Sequence, residues 1–314
     1  MSQFFDLSTE KSLLRLTVIG AVLISALGVV FGLISGSGSI MFDGIYSLID
    51  AVMGLLTLVV ANLITAYSLS IGLSPRLKDR FSMGFWHLEP MVIGLNGTLL
   101  IGAAIYALFN AISTIIAGGR DLEFGWAIGY AVVTVIFCFT IVVLESRANK
   151  SIKSEFVSLD IKGWLMSGCI TAALLIAFCV GLAVQNTSYE WISPYIDPVV
   201  LAVVCVLIIP LPIGTVSKAF GDMLLFTPAD LKNHVDQIAQ AFMERHGLLS
   251  YRAYVSRVGR SKNIEIYFIV PKDAPPRVIS EWDRLRDEIG EELGGEGPDR
   301  WLTIVFTGDP EWAE

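Results

Sequence analysis

Two carboxylates, Asp43 and Asp50, stand seven residues apart in the stretch 36–50, GSGSIMFDGIYSLID, which opens an apolar run continuing to Leu69. At about 100° per residue, a step of seven returns almost to the same face of a helix. Asp43, Tyr46, Ser47 and Asp50 therefore form one oxygen-bearing stripe on an otherwise hydrophobic helix. A carboxylate at bilayer depth costs roughly 2.5–3.5 kcal/mol on insertion scales, so two of them call for a reason, and the default one is an ion pathway or site. Such oxygens ligate hard cations, and protons compete with the cation for the same atoms. The structural alternative is a pairing of each carboxylate with a buried base or with backbone amides.

The surrounding elements are those of a membrane protein. Hydrophobic residues make up 54% of the 314-residue chain, and the mean hydropathy is +0.65, well above the range of a soluble domain of this length. Apolar runs of about 20 residues or more, enough for a hydrocarbon core of about 30 Å, are expected over 13–34, 40–67, 91–117, 124–144, 157–184 and 196–213. The first run has no small-residue cleavage site and is followed at once by further spans, so it reads as a span and not as a cleaved signal. The net charge of −8 lies mostly in the last third, which argues against a nucleic-acid partner. Cys138, Cys169, Cys179 and Cys205 all fall in expected spans without CxxC spacing and read as small packing residues.

Basic residues alternate between loops. Arg76, Lys78 and Arg80 lie between spans two and three; Arg147, Lys150 and Lys153 lie between spans four and five; Lys218 follows span six. The one–two and five–six loops have none, and loop three–four has only Arg120. The positive-inside rule then places both termini in the cytoplasm, and a basic-inside six-span chain suits a bacterial inner (plasma) membrane. Three segments are expected: a six-span domain over 1–215, a linker over 216–227 and a small domain over 228–314. In the last, a helix over 229–246 stops at Gly247, strands over 248–258 and 263–270 join through a turn at 259–262, and Pro275-Pro276 opens a helix ended by Gly294-Gly295. A third strand over 301–306 completes an α-β-β-α-β order, a small sheet with helices on one face.

With these residues in place the chain resembles the cation diffusion facilitator (cation efflux) family. The resemblance rests on the six spans, Phe42-Asp43 … Ser47-Leu48-Ile49-Asp50 in span two, Gly84 … Glu89 before span three, Leu159-Asp160 in span five, Tyr195-Ile196-Asp197-Pro198 at span six, and the C-terminal α-β-β-α-β segment. It implies a homodimer that exports a divalent metal cation across the lipid membrane, usually against protons, with a ferredoxin-like cytoplasmic domain that often binds metal. It also implies four tetrahedral ligands, two from span two and two from span five, each pair four residues apart. Here those positions carry Tyr46 and Asp50, and Gly163 and Ser167. His or Asp is usual at the first, and His and Asp at the last two, so the usual zinc set is not intact.

Spans two and five run in opposite directions, so the family's pairing sets Tyr46 level with Ser167 and Asp50 level with Gly163. Asp160, one turn toward the cytoplasm from Gly163, is then roughly 5 Å in depth from Asp50. An all-oxygen site of Asp50 and Asp160, with Tyr46, Ser47 and Ser167 adding neutral oxygens and Asp43 on the exit path, suits Mg²⁺, Mn²⁺, Fe²⁺ or Ca²⁺ better than zinc. The transported ion stays open among Mn, Fe, Mg, Co and Zn. No prosthetic group and no catalytic set is expected. Alternative readings stand beside these: Asp160 as a helix N-terminal charge, Asp43 as a partner for amides near its helix end, Tyr46 and Ser167 as packing residues, and Gly44, Gly54, Gly163 and Gly168 as points of close helix approach. Asp197-Pro198 reads as an N-cap with Pro at the first helical position. Glu89 either orients the start of span three or attracts cations. The C-terminal acids, Glu281 through Glu292, read as a solvated helix face, with weak cation sensing as the sharper alternative. The whole chain could also be a non-transporting scaffold or a metal-sensing dimer partner on the same fold.

Overall fold

A computed structural model describes residues 10–69, 75–81, 83–152 and 155–313. Its helices, in order, are α1 (Glu10–Ser35), α2 (Gly38–Ser68), α3 (Pro75–Arg80), α4 (Leu88–Ile116), α5 (Phe124–Ile152), α6 (Glu155–Val184), α7 (Ser193–Ile208), α8 (Ile213–Met223), α9 (Ala229–His246) and α10 (Ile279–Leu293). Among the described residues, six helical segments are long and apolar enough to cross a membrane: those within α1, α2, α4, α5 and α6, and Glu190–Ile208, where a 3-10 turn leads into α7. The last begins earlier than its apolar run, because Pro194 takes a first-turn position and Ser193 opens the helix. The stretch expected as a linker is largely helix α8.

The chain divides into two compact units, Met1–Leu56 with Leu95–Gly214, and Thr57–Gly94 with Thr215–Glu314. In the first, Leu33, Phe109 and Ile116 lie on the surface, more than two-thirds exposed, while Phe178, Ile40 and Ala104 are buried. Apolar side chains on both faces are what a helix between protein and lipid requires. The core is built where small residues let backbones meet. A Cβ on Gly44 would lie 2.6 Å from the Val29 nitrogen, and one on Gly28 would lie 2.8 Å from the Gly44 Cα. Ser25 Oγ donates to the Gly44 carbonyl at 2.6 Å across the same crossing of α1 and α2. Gly168 likewise abuts Cys138 of α5, at 3.1 Å, whereas Gly54 and Gly163 face open space. Of the four candidate contact glycines, two are contacts and two are gaps.

In the second unit, strands β1 (Ser250–Val258), β2 (Ser261–Ile269) and β3 (Arg300–Thr307) form one sheet in that order, β1–β2 antiparallel and β2–β3 parallel. Pairing runs to Val258 with Ser261, so the hairpin turn is Gly259-Arg260 alone, two residues shorter than the expected turn. Gly259 has φ +59° there, which suits glycine best. Ile264, Ile266 and Phe268, at the two-residue period of one sheet face, pack with Val235, Ala239 and Phe242 of α9 and Leu285 and Ile289 of α10. Both helices therefore cover one face, as the α-β-β-α-β order implies. Gly247, with φ +66°, ends α9, and Gly294, with φ +63°, ends α10.

The C-terminal acids are partly structural. Arg245 donates to Glu288 and Glu292, His246 Nε2 lies 3.0 Å from Glu288 Oε1, and Arg286 pairs with Asp283. The hydrogen bond from His246, with Arg245 beside it, holds the Glu288 carboxyl below the usual carboxylate range. A carboxyl whose folded pKa is depressed adds stability above its unfolded value of about 4.3, and that stability is lost as pH falls through the lower folded value. Glu288→Gln is therefore expected to lower hydrogen-exchange protection in α9 and α10 at pH 7 and to lower it less at pH 3. An equal loss at both values would remove the ion pair as the cause.

Candidate functional site

The oxygen stripe is carried by α2, and its position depends on how that helix begins. Its first amide groups have no intrahelical acceptors. Ser37 supplies one internally, its Oγ accepting from the Ile40 amide at 3.1 Å. The rest come from Asp197, four residues into α7 and buried. Its carboxylate accepts from Ser37 Oγ at 2.6 Å, the Gly38 amide at 2.8 Å and the Ser39 amide at 3.3 Å, and its carbonyl accepts from Ser39 Oγ at 3.0 Å. Asp197 thus caps α2 and not its own helix, whose N-cap is Ile192. The local pattern Asp-Pro suggested a cap for the nearer helix; no local signal marks a cap made across 158 or more residues.

Asp43 follows in the second turn of α2. Tyr130 of α5, itself buried, donates its hydroxyl to Asp43 Oδ2 at 3.0 Å. The carboxylate therefore has a side-chain partner from another helix, where helix-end amides were the structural alternative. Tyr130 is a residue that sequence reasoning missed: one tyrosine in an apolar helix gives no pattern that points to a carboxylate 87 positions away. Asp43, Tyr46 and Ser47 of α2 line a cavity of about 400 Å³ together with Gly163, Trp164 and Ser167 of α6. The Phe42 and Tyr46 rings meet at 5.5 Å. Cys138 Sγ lies 4.0 Å from Ser167 Oγ.

Four of the six sequence-predicted site residues, Asp43, Tyr46, Ser47 and Ser167, thus share one cavity. Asp50 lies in α2 and Asp160 in α6, and their side chains fall outside the described residues. Among the described residues, no three His, Cys, Asp or Glu side chains come together in a group that could hold a metal ion. Glu89 accepts from Arg260 Nε at 2.9 Å, an ion pair at the start of α4.

Residues 14–224 match the cation efflux transmembrane domain, which covers the six apolar helices and about two-thirds of the chain. The chain belongs to the cation efflux family. Members of this family are membrane transporters, and the activity they share is export of metal cations, the ion being substrate and not a resident cofactor. Comparison with curated proteins gives no match. In this cation efflux protein the cavity between α2 and α6 presents carboxylate and hydroxyl oxygens.

Proposed function

We propose that this cation efflux protein is a secondary transporter that exports a divalent metal cation from the cytoplasm in exchange for protons, with a hard cation favoured over zinc. The observation that carries the reading is the single cavity shared by Asp43, Tyr46, Ser47 and Ser167, with Gly163 leaving room between them. Asp50 and Asp160 add the remaining negative charge from α2 and α6. The cation enters from the cytoplasm and displaces protons from these carboxylates; protons return as it leaves, because both compete for the same oxygens. The alternation of basic loops supports an inner-membrane orientation with both termini cytoplasmic. The working assembly is a homodimer, with 1–215 as the transport segment and 228–314 as its cytoplasmic partner domain.

Purified full-length protein in vesicles with an imposed pH gradient tests this. Mn²⁺ or Mg²⁺ flux is expected to exceed Zn²⁺ flux and to reverse when the gradient is reversed. Faster Zn²⁺ flux would end the hard-cation assignment, and flux indifferent to the gradient would end antiport. No flux for any divalent cation would favour a scaffold or sensing role, consistent with the altered ligand positions 46, 163 and 167.

A further inference from the structure

Tyr130 reaches Asp43 through a gap that two glycines leave. It stands on α5, 2% exposed, with its ring 6.0 Å from that of Phe31 on α1. A Cβ on Gly28 of α1 would come within 2.8 Å of the Tyr130 hydroxyl and within 2.8 Å of the Gly44 Cα on α2. Where α1 and α2 cross there is thus room for one hydroxyl and for no side chain on Gly28. Through that gap the hydroxyl donates to Asp43 Oδ2 at 3.0 Å.

This bond bears directly on the cavity. Among the described lining residues Asp43 is the one carboxylate, and Tyr130 is not itself in the lining. An ionised carboxylate can only accept, and a buried donor of fixed position selects one rotation of it. With Oδ2 engaged, Oδ1 is the oxygen that Asp43 has left for the cavity it lines. A hydrogen bond to a charged acceptor is stronger than one between neutral groups. The carboxylate is therefore oriented before an ion arrives, and less ordering remains to be done on binding.

We infer that Tyr130 is a positioning residue for cation binding: it acts through Asp43, turning one carboxylate oxygen toward the ion without meeting the ion itself. The inference rests on the transport reading above. It adds to that reading a residue of α5, a helix outside the α2 and α6 pair that supplies the oxygens.

Tyr130→Phe removes the hydroxyl and keeps the ring. Vesicles carrying the full-length protein are titrated with Mn²⁺ or Mg²⁺, whichever the unaltered protein carries faster. Partners that orient a metal ligand are worth about 10–100-fold in affinity. The half-saturating concentration is accordingly expected to rise on the order of tenfold in Tyr130→Phe, with maximal flux changing less than that. On an Asp43→Asn background the same substitution is expected to change it less than about twofold, because there is no carboxylate charge left to aim. A similar tenfold rise on that background would mean that Tyr130 acts by another route. Lower maximal flux and a lower unfolding midpoint at unchanged half-saturation would make Tyr130 a packing residue and overturn the inference alone. Absence of flux for every divalent cation in the unaltered protein would overturn the transport reading, and this inference with it.

Discussion

Asp50→Ala is expected to bring divalent-cation flux in reconstituted vesicles down to that of protein-free vesicles. Of the four positions that resemble the family's ligand set, only Asp50 keeps a charged ligand; Tyr46 and Ser167 are neutral and Gly163 has no side chain. A unit charge about 4 Å from another is worth about 4 kcal/mol for each charge on the ion at an effective dielectric of 20. Losing even that much lowers affinity close to a thousandfold. The hydroxyls cannot replace it, because none ionises near neutral pH. Asp50→Glu keeps the charge and should retain part of the flux, which separates charge from packing, while thermal unfolding in detergent confirms that both variants fold. Unchanged flux in Asp50→Ala would remove the residue from the pathway.

Asp197→Ala is expected to cost about 3 kcal/mol of stability, read as a lower thermal unfolding midpoint of the full-length protein in detergent. Loss of an N-cap alone costs about 1 kcal/mol. This carboxylate also satisfies Ser37 and two amides at once, and buried donors left unpaired cost about 1–3 kcal/mol more. Asp197→Asn keeps one acceptor oxygen but turns an amide group toward a neighbouring donor, so it should recover less than half of the loss. Cation flux should fall in Asp197→Ala as well, since α2 carries the cavity's carboxylate and loses its anchor at Gly38. An unfolding midpoint within about 1 °C of the unaltered protein would mean that water or Ser37 alone suffices to cap α2.

Much of this was legible along the chain. Unbroken apolar runs can be buried only as helices in lipid, so six spanning helices follow from composition and length, with the α-β-β-α-β segment behind them. Part of the oxygen stripe on α2 was legible too, because helical period sets Asp43, Tyr46 and Ser47 on one face, and these three line one cavity. Gly247 and Gly294 announced the ends of their helices because glycine most readily takes the positive φ found at both.

What needed the tertiary structure were the partners. Whether a glycine is a contact or a gap depends on the opposite helix: Gly44 meets the backbone of α1, while Gly163, in a similar apolar setting, opens onto the cavity. Asp43 is held by Tyr130, and α2 is capped by Asp197, across separations of 87 and about 160 residues. Periodicity reports which residues share a face of one helix. It carries no information on which face of another helix that one meets, and that choice, made by close packing of all the helices together, decides which oxygens line the space where an ion can sit.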